Sequence, residues 1–116
     1  MPADLTHALE VVARGLGATT AHLEWAVGEN MRVGSSQAPL EAALRDAVAA
    51  AVAGAPQGAR VTVMADRETE ACVVRLRTDY PLSLQQGMHA LESVAESAGG
   101  FLAASPSGFV ARIPRA

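Results

Sequence analysis

The sequence contains no lysine, one cysteine, four aromatic residues and no long apolar run, and each shortage excludes a class of protein. A lone cysteine, Cys72, cannot close an intramolecular disulfide, so a reducing compartment is expected. No stretch approaches the ~20 apolar residues that a membrane-spanning helix requires. Met1-Pro2-Ala3-Asp4 has neither the charged nor the apolar part of a leader segment. These features predict a soluble cytoplasmic protein without membrane contact. Arginine fills all nine Lys/Arg positions, and against twelve acids it leaves a net charge of −3, which argues against a nucleic-acid partner. His7, His22 and His89 are scattered without metal-ligand spacing, so no metal site is expected. With only Trp25, Tyr80, Phe101 and Phe109 as aromatics, the core must be built from alanine, valine and leucine.

What is present is a chain of 116 residues, half of them apolar, a length that suits one domain over 1–116. Asp4 has the chemistry of an N-cap for a first helix, whose stripe is Leu5, Ala8, Leu9, Val12 and Leu16, ended by Gly15 and Gly17. From Ala21 to Val27 polar and apolar residues alternate with period two. Gly28-Glu29-Asn30 reads as a turn and Met31-Arg32-Val33 as a return strand, so a hairpin is expected over 21–33. Ser35-Ser36 then precedes an alanine-rich helix that tolerates Pro39 in its first turn and runs to Gly54. Arg60 to Ala65 and Ala71 to Arg77 read as a second hairpin around a polar link. Ser83 and Gln86 have the spacing of a capping box, Gly99-Gly100 stops the helix that follows, and Phe101 to Ile113 forms a last hairpin across Ser105-Pro106-Ser107-Gly108. Helices alternating with antiparallel hairpins predict an α+β fold, a two-layer sandwich with helices on one face of a mixed, mostly antiparallel sheet.

This order, together with Leu84-Gln85-Gln86-Gly87-Met88, Ala98-Gly99-Gly100 and the closing Ile113-Pro114, resembles the Bergerat-fold (GHKL) ATP-binding domains of bacterial sensor histidine kinases over 21–114. Residues 1–17 form a helix ahead of that unit. The resemblance implies a nucleotide site built from a helix carrying Glu and, four residues later, Asn for Mg²⁺ and phosphates. Asp46 and Ala50 occupy those positions here. It also implies an Asp-x-Gly box whose Asp accepts the adenine amino group. Leu76-Arg77-Thr78-Asp79-Tyr80 corresponds to that box, with Asp79 retained and the glycine absent. The family's Gly-rich lid is replaced by Pro81-Leu82-Ser83, too short to cradle phosphates.

The remnant nucleotide residues are therefore Asp46, Ala50, Asp79 and Gly87, and no catalytic residue is expected. The bland reading of Asp46 is a solvated helix carboxylate beside Arg45, and that of Asp79 a turn residue before Pro81. His7 is no convincing phosphoacceptor, because the family carries its phosphohistidine on a separate two-helix module. Scaffold without ligands implies a non-catalytic module, without cofactor, acting by protein contact in bacterial signalling or transcriptional control. Its partner would be a kinase, a regulator or sigma-type factor, or a second copy. The stripe Leu5, Leu9, Val12 and Leu16 is the expected interface of a homodimer. The alternative is a divergent ATP-binding kinase or anti-sigma-type regulator that holds ATP and Mg²⁺ through Asp46 and Asp79. A third reading places a small apolar ligand in the vacated cavity.

Overall fold

A computed structural model describes residues 3–15, 22–29, 31–53, 55–80 and 85–115. Leu16, Gly54 and the Ser83 cap lie outside them. In chain order the elements are β1 (Ala3–Asp4), α1 (Leu5–Gly15), β2 (His22–Val27), β3 (Arg32–Val33), α2 (Gln37–Ala53), β4 (Arg60–Arg67), β5 (Ala71–Thr78), α3 (Gln85–Ser97), β6 (Phe101–Ser105) and β7 (Gly108–Pro114).

Each helix begins or ends on the residues suited to it. Asp4 caps α1, its Oδ1 accepting the His7 N–H at 3.0 Å, one of the four amides that a helix start leaves unpaired. Asp4→Ala should cost about 1 kcal/mol, read as a lower urea midpoint at unchanged slope. Pro39 sits in the first turn of α2, where its missing N–H is no loss. Buried Leu40, Ala43, Leu44, Ala47, Val48 and Ala51 follow at three- and four-residue steps. Past α3, Gly99 adopts φ +93°, and the Gly100 N–H reaches the Ala95 carbonyl at 2.8 Å, the left-handed ending that a side chain resists.

The main sheet runs β2-β4-β5-β7-β6. β2 lies parallel to β4 and all other neighbours are antiparallel. Period two turns Val61, Val63, Ala65, Cys72, Val74, Leu76, Phe109, Ala111 and Ile113 to one face, where they are buried. Beneath the helices they form one core with Leu5, Leu9, Leu44 and Leu91. The chain thus has the α+β two-layer architecture expected, with helices on one face.

The 21–33 hairpin is a correction. Its two strands belong to different sheets: β2 pairs in parallel with β4, Trp25 opposite Val63, while β3 pairs with β1, Ala3 opposite Val33. Between them Gly28 donates to the Ala65 carbonyl at 3.0 Å, and Thr6 Oγ1 on α1 donates to the Gly28 carbonyl at 2.9 Å. A local turn signal was present, but each strand found its partner elsewhere. The Leu5 N–H on the Met31 carbonyl at 2.8 Å then ties α1 to the same corner.

Candidate functional site

The expected site residues lie on α2, at the end of β5 and at the start of α3. Asp46 and Ala50 stand one turn apart on α2. Asp46 is exposed and Ala50 half-buried, so this flank of the helix carries one carboxylate and then a methyl group. Gly87 lies in the first turn of α3.

The end of β5 is held by several hydrogen bonds. Thr78 Oγ1 donates to the Tyr80 carbonyl at 2.7 Å and approaches the Ser107 carbonyl at 3.3 Å. The Thr78 N–H donates to the same Ser107 carbonyl at 2.8 Å. Asp79 turns back onto β4, one carboxylate oxygen accepting the Arg60 N–H at 3.0 Å and its own N–H facing the Arg60 carbonyl at 3.4 Å. Asp79 thus closes the β4–β5 ladder at its open end.

Tyr80, next in sequence, points inward. Its ring is 9% exposed and belongs to the core, and its hydroxyl donates to the Ala51 carbonyl of α2. A buried phenol needs such a partner to offset its lost hydration. Burial pushes its pKa above the ordinary tyrosine range, and the neighbouring Asp79 charge adds to that. The O–H therefore remains a donor at neutral pH. Sequence reasoning identified Tyr80 only as a missing glycine. The available signal was a solitary tyrosine just before a proline, in a chain short of aromatics.

The fold thus brings the two halves of the expected site together, since Ala51 adjoins Ala50 and Tyr80 adjoins Asp79. What joins them is the phenol. Outside it lies an open recess of about 340 Å³ lined by Thr78, Asp79, Tyr80, Pro106 and Ser107. Among the described residues no three His, Cys, Asp or Glu side chains gather as a metal site. His7 is exposed on α1. Leu5, Leu9 and Val12 are at most 1% exposed, packed inside the chain's own core. No described helix is long and apolar enough to cross a membrane.

No protein-family model matches this sequence, and no curated protein does. Solved structures do match. The mycobacterial sensor histidine kinase MprB is 18% identical, with a TM-score of 0.79 over 99% of this chain and 97% of that one. The ATP-binding domain of PrrB from Mycobacterium tuberculosis is 19% identical, with a TM-score of 0.79 over 100% and 97%. The catalytic domain of histidine kinase ThkA, in a nucleotide-free form, is 12% identical, with a TM-score of 0.78 over 99% and 96%. The fold is therefore the Bergerat (GHKL) fold of histidine-kinase ATP-binding domains.

Proposed function

We propose that this chain is a histidine-kinase-ATPase-like module that does not use nucleotide and acts by protein contact, in the cytoplasm, in bacterial signalling or transcriptional control. The observation that carries this reading is Tyr80. Its ring lies in the core, between the end of β5 and α2, and its hydroxyl is bonded to Ala51. These are the two elements that the resemblance assigns to adenine and to the metal-bound phosphates.

The remaining residues point the same way. The Ala50 side chain has no oxygen for a metal, and Asp79 already accepts a backbone N–H with one carboxylate oxygen. Only residues 81–84 separate Tyr80 from α3 in sequence, too few for a Gly-rich phosphate loop. This set does not fit an Mg²⁺-bound nucleotide, and no catalytic step is assigned to it.

Calorimetric titration with a non-hydrolysable ATP analogue and Mg²⁺ tests the reading. The expected result is no heat of binding with ligand up to about 1 mM, the weak end of the affinity scale. Sub-millimolar binding that Asp79→Ala weakens would overturn it, in favour of a divergent ATP-binding regulator.

A further inference from the structure

The main sheet has two edges, β2 and β6. Natural edge strands are usually guarded by charge, proline or a bulge, because an unpaired backbone edge invites another strand. β2 carries Glu24. β6 reads Phe-Leu-Ala-Ala-Ser and carries neither charge nor proline. Phe101, at its start, is 51% exposed, and among the described residues it is the one large apolar side chain left in solvent.

The two-residue loop Pro106–Ser107 fixes which backbone groups of β6 are free. Ser105 lies opposite Gly108 across it, and residues flanking such a loop exchange both backbone hydrogen bonds. Phe101, Ala103 and Ser105 therefore turn their N–H and C=O groups towards β7. Leu102 and Ala104 turn theirs to the outer edge, which no strand among the described residues covers.

We infer that this edge is where a second copy of the chain docks, β6 against β6 in antiparallel fashion about a two-fold axis at Ala103. This register pairs all five residues. Leu102 and Ala104 of one copy then exchange hydrogen bonds with Ala104 and Leu102 of the other, and Phe101 comes to lie opposite Ser105 of the second copy. On the sheet face away from the helices Ser105 continues in register into Gly108 and then Arg77. That row borders a recess of about 410 Å³ whose lining includes Arg75, Arg77, Ala103, Ser105, Gly108 and Val110. Gly108 has no side chain, so an aromatic ring crossing the seam rests on Ser105 with bare backbone beyond it, and an extended Arg77 side chain can reach back over Gly108 to the ring. Arg77 is exposed, and no carboxylate pairs with it among the described residues. A cation over an aromatic face is attractive, and the two-fold axis makes the contact twice.

Such a contact is smaller than the ~1,600 Å² of a standard interface, so the dimer is concentration-dependent. It stands whether or not nucleotide binds. Sedimentation equilibrium of the full chain from about 10 μM to about 1 mM, the weak-affinity range, should show the mass per particle rising from 11.9 kDa towards twice that value. Ala104→Pro removes an outward N–H without touching a bond to β7, and should weaken association at least tenfold at an unchanged unfolding midpoint. Phe101→Ala, at an exposed position, should weaken it about tenfold, the factor that matches roughly 1.4 kcal/mol. If Ala104→Pro does not fold, Phe101→Ala and Phe101→Asp carry the test. A chain that stays monomeric through 1 mM, or a dimer indifferent to the Phe101 substitutions, would overturn the inference.

Discussion

Leu9→Ala lowers the unfolding free energy by about 2–5 kcal/mol, the range for a leucine truncated in a packed core, and leaves the mass per particle in solution unchanged. The first half follows from Leu9 being 1% exposed, in α1, which packs on α2. The missing methyl groups leave a cavity that neighbouring backbone cannot close. The second half separates core from interface. An apolar stripe on a helix has to be covered, but periodicity alone does not say by what. Were the stripe the seam of a homodimer, Leu9→Ala would shift the monomer–dimer balance and leave the monomer's denaturation midpoint nearly intact. Chemical denaturation together with light scattering, on the same samples, distinguishes the two.

Gly100→Ala is expected to be at least as damaging, by about 3 kcal/mol or more, in the range reserved for steric conflict in a core. A Cβ at Gly100 would stand 1.8 Å from the Arg112 carbonyl oxygen and 2.9 Å from Pro114 Cδ. Neither neighbour can yield, because Arg112 lies in the paired register of β7 and proline is rigid. The adjacent Gly99→Ala gives the scale. There a Cβ meets only Pro114 Cγ at 3.8 Å, and the penalty comes from φ +93° alone, about 1 kcal/mol. The order Gly100 well above Gly99 in thermal denaturation identifies crowding as the cause. Equal losses would mean that the left-handed turn dominates.

Features set by neighbours in sequence were legible. The Asp4 cap, the alanine-rich α2, the β4–β5 hairpin, the Gly99 stop and the β6–β7 turn each rest on residues a few positions apart. β2 and β3 were not. Their period-two pattern and the Gly28-Glu29-Asn30 turn imitate a hairpin, and nothing nearby reveals that Trp25 faces Val63 in parallel or that Val33 faces Ala3. β1, two residues long, is too short to show any period. At the candidate site, Asp79 was visible as an acid in the expected place. Its hold on the Arg60 N–H and the reach of Tyr80 to Ala51 depend on the packing of β5 beneath α2, which no local pattern encodes.

The parallel pairing of β2 with β4 also bears on the order in which the chain assembles. β4 with β5 and β6 with β7 are hairpins closed by short loops, whereas β2 reaches β4 only after all of α2 has been threaded between them. Loop closure of that length costs entropy before any contact repays it. β5 likewise meets β7 only across α3, at a comparable separation, so these two pairings together are the natural late steps of folding, and β2 completes one edge of the sheet. Trp25, the single tryptophan, lies on that strand, so its fluorescence reports completion of that edge, while far-ultraviolet circular dichroism follows the helices and hairpins that precede it.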